Sequence, residues 1–386
     1  MTALVNGTIW PDPTAAPIRN GVVLIEGSTI AAAGDWQKVA VPPGIETLDC
    51  DGCTITAGFW NSHVHFFERK WTDAAAIPAH ELSRQLREML TRYGFTSVFD
   101  LSSVWENTRR LRDRIESSEV PGPRIRSTGE GLVPANPGLP PDSVLRVMGV
   151  VQAAMPEVAG AAQAAAAARK LLDAGVDAIK LFASTPSKAE LTTAIMEAAA
   201  AEAHRAGKPV FVHPNHAADL LAAVHAGVDI VGHTTPASGA WDESILTAMR
   251  ERGAALTPTL TLWKHYLRHD RVSLQQHMVD TAVGQLRAWA AGGGQVLFGT
   301  DLGAVDYDPS EEYALMAAAG MNFRAILASL TTAPAERFEA GPRSGRVAAG
   351  CHADLAVVQG DPARDLRALT AVRYTLRAGR IIYRAV

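Results

Sequence analysis

The strongest regularity along the chain is a repeating unit: a helix-like stretch, then a glycine, then a short unbroken run of β-branched and apolar residues. It recurs around Gly94 (TRYGFTSVFD), Gly175 (LLDAGVDAIKLF), Gly207 (AHRAGKPVFVHP), Gly227 (AVHAGVDIVGHT), Gly253 (RERGAALTPTL) and Gly292 to Gly294 (AAGGGQVLFGTD). Glycine suits the left-handed residue just past a helix end, and a strand buried on both faces reads as a continuous apolar run. Each unit is therefore helix, cap, strand. With TITAGFWNSHVHF near residue 55 and PRIRSTGEGL near residue 125, eight strands alternate with helices between residues 54 and 335. That count and order predict an α/β chain folded as an eight-fold β/α barrel of the TIM type. A two-domain nucleotide-binding fold fits less well, because no glycine-rich phosphate fingerprint follows the first strand. The Ala-rich run from Val158 to Leu172 reads as a barrel helix, with Arg169, Lys170 and Asp173 on its polar side.

The two ends of the chain are patterned differently. Residues 1–53 (LVNGTIW, GVVLIEGSTIAAAG, ETLDCDGC) and 345–386 (RVAAGCHADLAVVQG, AVRYTLRAGRIIYRAV) show short strands and no helix of useful length. Isolated hairpins are barely stable alone, so the two ends are expected to pair in one small β-sandwich domain. The barrel, residues 54–344, would then be an insertion in that domain.

Charge narrows the class of partner. A net charge of −4 without any block of like charges lacks the footprint of a nucleic-acid or acidic-membrane binder, so a small-molecule substrate is expected. The N-terminus MTALVNGTIWPDPTAAP has no basic leader followed by an apolar core, and no run of about 18 apolar residues occurs anywhere. These features predict a soluble, cytoplasmic protein. Three cysteines, Cys50, Cys53 and Cys351, are too few for a disulfide framework, and the Cys-x-x-Cys pair has no second pair to complete a zinc site. They read as structural thiols.

The candidate chemistry lies at the strand ends. Residues two apart on a strand face the same side, so His63 and His65 in NSHVHF project together where the first barrel strand ends. Such a pair can begin a metal site or can simply be two hydrogen-bonded polar residues closing the barrel. Four later strands each place one ionisable residue at a corresponding position: Lys180 in DAIKLF, His213 in VFVHPN, His233 in IVGHTT and Asp301 in LFGTDLG. A buried lysine needs either a carboxylate partner, for which Asp301 is the candidate, or a modification that changes its charge.

The set His-x-His, Lys, His, His, Asp in this order resembles the binuclear branch of the amidohydrolase superfamily. The likeness covers nearly the whole chain. TAGFWNSHVHF resembles the family's first-strand motif, and GRVAAGCHADLAVV resembles its C-terminal sheet segment. Among the branches, the prolidase/carboxypeptidase-like and imidazolonepropionase-like group is nearest. The resemblance implies two divalent metal ions, with a carbamate on Lys180 bridging them, His63, His65 and Asp301 on one ion, and His213 and His233 on the other. Zinc suits imidazole and carboxylate ligands first, and manganese, iron, cobalt or nickel also fill such sites. A metal-bridged hydroxide would attack an amide-like carbon–nitrogen bond, with Asp301 as general base. N-acyl amino acids, dipeptides, ureas and xenobiotic amides are all candidate substrates. Homo-oligomers are common in the family, and for this chain that rests on the resemblance alone.

Other readings stay open. Deaminating relatives carry a glutamate three residues after the fifth-strand histidine, where this chain has His216. Deamination of a small heterocycle, lactone or ester hydrolysis, and a non-catalytic barrel scaffold are the alternatives. The dipeptidase relatives often have a second histidine two residues past the fifth-strand ligand, where Asn215 stands, and another after the third strand, where this chain reads GEGLVPANPG. Glu130, Asn136 and Asn215 are therefore candidate substrate contacts. So are Trp263, His265 and Tyr266, because the loop after the seventh strand overhangs a barrel's catalytic face.

Overall fold

The computed structural model describes residues 1–135, 155–184, 189–339 and 343–385. The chain starts in a sheet that its last residues complete. Strands β1 (Thr2–Ile9), β2 (Ile18–Glu26), β3 (Thr29–Asp35), β4 (Glu46–Asp49) and β5 (Cys53–Ala57) come from the N-terminal end. They join β16 (Leu355–Gln359), β17 (Val372–Arg377) and β18 (Arg380–Arg384) in one eight-stranded sheet of order β18-β17-β16-β5-β1-β2-β3, with β4 on β1. One edge of β1 serves two partners in turn, Thr2 opposite Glu46 of β4 and Thr8 opposite Thr54 of β5. Sequence reading ends the first sheet segment at residue 53, whereas pairing with β16 carries it to Ala57, opposite Leu355. The core of this sheet takes Leu4, Ile9, Val23, Ile55, Val357 and Leu376, together with all three cysteines. Burial pushes the Cys50 thiol up to about 12, which suits an inert packing residue.

The barrel strands are β6 (Phe59–Val64), β7 (Phe95–Asp100), β8 (Arg124–Ser127), β11 (Ile179–Phe182), β12 (Val210–His213), β13 (Ile230–Gly232), β14 (Ala255–Thr257) and β15 (Gln295–Val296). A short parallel pair, β9 (Val133–Pro134) and β10 (Glu157–Val158), lies in the connection after β8. The parallel runs β6-β7-β8 and β11 to β15 are joined into a ring at two seams. At one seam Asp177 N donates to Ser127 O (2.7 Å) and Leu132 N to Lys180 O (2.8 Å). At the other Ser62 N donates to Phe298 O (2.7 Å) and Asp301 N to His63 O (2.9 Å). The eight strands are those that the glycine-punctuated pattern marks. Gly94, Gly175, Gly207, Gly227, Gly253 and Gly293 all have φ between 62° and 96°, the left-handed conformation that ends the preceding turn and turns the chain into its strand.

Eleven helices of the described residues clothe the barrel: α1 (Ala79–Met89), α2 (Trp105–Glu116), α3 (Ala161–Asp173), α4 (Thr193–Arg205), α5 (Ala217–His225), α6 (Glu243–Glu251), α7 (Thr261–Tyr266), α8 (Val272–Ala291), α9 (Ser310–Ala318), α10 (Phe323–Leu330) and α11 (Thr332–Phe338). Inside the ring, Phe99, Ala178, Phe211, Ile230, Ala255 and Leu297 form a packed layer, closed by Phe338, the last residue of α11. The Phe338 ring lies 4.8 Å from Phe99 and 5.5 Å from Trp60. The barrel is thus filled at its strand starts, which leaves the strand ends as the polar side. Among the described residues no helix is long and apolar enough to cross a membrane.

Candidate metal centre

His63 lies in β6 and His65 just beyond it, Lys180 in β11 and His213 at the end of β12. His233 follows β13 directly, and Asp301 is in the turn after β15. The barrel brings all six to one end. His63 and His233 rings are 4.5 Å apart between centroids, as are His213 and His233, while His63 and His65 are at 5.3 Å. Asp301 Oδ1 is 3.1 Å from His63 Nε2 and 2.6 Å from His65 Nε2. One ligand atom from each of His63, His233 and Asp301 falls within a 4.8 Å span. His233 (φ 77°) and Asp301 (φ 67°) both adopt the left-handed backbone that side-chain-bearing residues rarely take, so the strand ends are bent to aim these two groups inward.

Hydrogen bonds fix which ring nitrogen is free. Thr259 Oγ1 lies 2.6 Å from His233 Nδ1 and, with its own proton on Pro258 O, accepts the Nδ1 proton. Thr257 does the same for His63, donating to Val231 O and facing His63 Nδ1 at 3.4 Å. His65 Nδ1 donates to Leu101 O. The three Nε2 atoms are thereby left for the centre. His213 is arranged the other way. Asn215, whose Nδ2 donates to Ser184 O and Oγ, turns its Oδ1 to His213 Nε2 (3.3 Å) and leaves Nδ1 with the lone pair.

This geometry tests whether a cation fits. His65 Nε2 and a carboxylate oxygen face each other at 2.6 Å, an arrangement that calls for positive charge between them, either a proton or a metal ion. His63 Nε2 is buried without a hydrogen-bond partner. Burial pushes His63 down to about 3 and His213 to about 4, and holds His233 well below the usual range, so all three imidazoles are neutral at pH 7. Burial pushes Asp301 up, but the neighbouring His63 and His65 outweigh it and keep the carboxylate well below its ordinary value. Lys180 is 1 % exposed and its Nζ has no hydrogen-bond partner, so the ordinary ion pair with Asp301 does not form. Burial pushes it down to about 7, with Asp301 partly opposing. A Cβ on Gly232 would stand 3.1 Å from His63 Cε1 and 3.2 Å from Lys180 Nζ, and the bare glycine keeps that space clear. The donor set fits a divalent metal.

The family model described as amidohydrolase family matches residues 54–383. The chain belongs to the amidohydrolase family. Ochratoxinase from Aspergillus niger is 23 % identical over 423 aligned positions, which cover 99 % of this chain and 86 % of that protein. A Xaa-Pro dipeptidase with bound methionine superposes with a TM-score of 0.83 at 22 % identity, each chain fully covered. A prolidase complexed with N-methylphosphonate-L-proline superposes at 0.80 and 25 % identity, again over the whole of both chains.

In this amidohydrolase the residues expected to touch substrate divide. Trp263 is half-buried and donates from Nε1 to Thr234 Oγ1 (2.8 Å), beside His233. His265 is half-buried on the same helix, its basicity lowered by burial and Arg268, with Asp301 among the charges that act on it. Tyr266 is 69 % exposed. Asn215 is occupied in orienting His213, and Glu130 accepts from Trp105 N (3.3 Å) at the start of α2. Asn136 lies outside the described residues. His216, three residues past His213, is exposed and sits at the start of α5, its N–H donating to Asp219 (3.0 Å).

Sequence reasoning missed the residues that orient the ligands. Thr257 and Thr259 are a Thr-x-Thr at the end of the seventh strand, the counterpart of His-x-His at the first, and that spacing was the available signal. Asp100 gave no such signal. Its fully buried carboxylate accepts from Phe66 N (3.1 Å), Ser103 Oγ (2.5 Å), Thr108 Oγ1 (2.9 Å) and Ser127 Oγ (2.8 Å), fixing the backbone on either side of His65 and its acceptor Leu101.

Proposed function

We propose that this chain hydrolyses an amide-like carbon–nitrogen bond of a small molecule, with two divalent ions held by His63, His65, Lys180, His213, His233 and Asp301. The observation that carries the reading is the buried convergence of neutral imidazoles on Asp301 beside an unpartnered Lys180. When bound, such ions polarise a carbonyl and lower the pKa of water towards about 7. His63, His65 and Asp301 would hold one ion, and His213 and His233 the other. Lys180, shifted towards a neutral amine, can add to carbon dioxide, losing one proton to give an anionic carbamate that two ions can share. Asp301 lies where it can take a proton from the attacking water and return it to the leaving nitrogen. Zinc suits this donor set first. In this reading the barrel, residues 54–344, carries the chemistry, and the sheet from residues 1–53 and 345–386 supports it.

The test is elemental analysis of protein purified without added metal or chelator, with mass or high-resolution density evidence at Lys180. About two equivalents of transition metal, a carbamate, and amine plus carboxylate released from amides support the reading. No metal after reconstitution would sink it, and ammonia as the only product would move the chain to deamination.

A further inference from the structure

Glu312 stands outside the centre, yet every group its carboxylate holds belongs to the turn that orients His233. It lies in the first turn of α9 and is 0 % exposed. Its Oε1 accepts from Leu260 N (2.8 Å), and its Oε2 accepts from Thr261 N (2.8 Å) and Thr261 Oγ1 (2.7 Å). Lys264, further along the same segment, pairs with Glu311 instead (2.6 Å). Taking a carboxylate out of water is costly, and a neutral side chain can meet a free N–H at a helix start for less, as Asn322 does for Ala325 N (3.0 Å) in α10. What a carboxylate adds is a fork of two acceptor oxygens, which here fixes two successive peptide planes.

The first of those planes is the one that follows Thr259. Thr259 has φ 45°, a backbone that a β-branched residue keeps only under constraint. Its Oγ1 donates to Pro258 O and lies 2.6 Å from His233 Nδ1. His233 N donates to Thr257 O (2.8 Å), so the imidazole and its acceptor hang on one short stretch of chain, from β14 into α7. Release of Leu260 N and Thr261 N would let the strained Thr259 relax and carry its hydroxyl away from the ring. We infer, on the metal-dependent reading above, that Glu312 is a positioning residue for the centre: by gripping the backbone of Leu260 and Thr261 it holds the Thr259 hydroxyl on His233 Nδ1 and leaves the Nε2 lone pair for a metal ion.

Glu312→Gln separates this role from packing. A carboxyl group keeps acceptor capacity at both oxygens in either protonation state, whereas glutamine turns an NH2 on one of the two backbone N–H groups at nearly unchanged volume. In metal-free protein carrying isotope-labelled histidine, nitrogen NMR of the parent is expected to show His233 protonated at Nδ1 alone, and the glutamine variant to show an Nε2–H form beside it. The His233 signals are assigned by their loss in His233→Gln. Chelator competition gives the second readout. Glu312→Gln should hold metal about tenfold more weakly than the parent, yet lose less than about twofold when Thr259 is already alanine. Should the glutamine variant fail to fold, Glu312→Asp, which withdraws the charge by one methylene, carries the same readouts. An unchanged Nδ1–H His233, or losses that multiply to about 100-fold in the double variant, overturns the role given to Glu312. The tautomer change in a protein whose parent takes up no metal supports that role and removes the hydrolase reading instead.

Discussion

Replacing Thr259 probes the claim that strand-end oxygens choose the free nitrogen of each histidine. In Thr259→Ala the buried His233 Nδ1–H loses its acceptor at 2.6 Å. A buried donor left unmet costs about 1–3 kcal/mol, unless the ring moves its proton to Nε2, which would point a proton at the centre instead of a lone pair. Either response weakens metal binding. Loss of a bond that orients a ligating histidine typically costs about 10- to 100-fold in affinity, or about 1.4–2.7 kcal/mol. The backbone at Thr259 has φ 45°, where a β-branched side chain is strained, so alanine regains part of the folding loss. Metal-free Thr259→Ala is therefore expected to lose only about 1 kcal/mol in denaturant unfolding, while chelator competition shows metal held at least about tenfold more weakly. Thr259→Ser, which keeps the hydroxyl, should restore the affinity. An alanine variant that holds metal within twofold of the parent, or a serine variant as weak as alanine, refutes the reasoning.

Asp100→Ala strands the hydroxyls of Ser103, Thr108 and Ser127 around a buried gap, while Phe66 N keeps Ser103 Oγ, and urea unfolding should show a loss of about 3–5 kcal/mol, with Asp100→Asn losing clearly less. Gly232→Ala puts a methyl 3.0 Å from Val212 O as well as against His63 and Lys180, so the protein should fold, with bound metal reduced to one equivalent or less by elemental analysis. Glu312 is fully buried, and burial pushes it up to about 7 against the bonds it accepts from Leu260 N, Thr261 N and Thr261 Oγ1. Its folded value lies above the unfolded 4.5, so the stability it confers is complete below about pH 4.5 and is lost as pH rises through about 7. The span is about 3 kcal/mol, and Glu312→Gln should flatten that part of the stability–pH curve measured by urea unfolding.

What the sequence made legible follows a physical rule. Strand position and capping are local, so the run after Gly175 announces β11 and the spacing in NSHVHF announces two side chains on one face. Ligand candidacy was legible for the same reason, since each of the six falls at a strand end. Hydrogen-bond choice is not local. Asn215 reads as a polar group near the substrate, yet its amide is held by Ser184, just past the end of the neighbouring strand, and its oxygen is given to His213. Glu130 reads as a site carboxylate, yet the path of the third-strand loop brings it to the N–H of Trp105. Phe338 shows no pattern that separates a helix-end core residue from a barrel plug; only closure of the ring around Phe99 and Phe211 gives it that role.

The same comparison explains where the chain departs from what stability alone would select. A fully buried amine without a partner, imidazoles held neutral by burial, and left-handed backbone at His233 and Asp301 are each unfavourable in an isolated fold. They gather within one strand-end layer, while the layer beneath, from Phe99 to Phe338, is wholly apolar and well packed. Strain of this kind persists only where surrounding structure over-determines it. Here the threonines of β14 and its turn, the Asp100 hub and the two barrel seams supply that constraint. A divalent cation would supply the positive charge that the facing His65 Nε2 and Asp301 carboxylate require. The features that are unfavourable for folding alone are thus the ones a metal site needs.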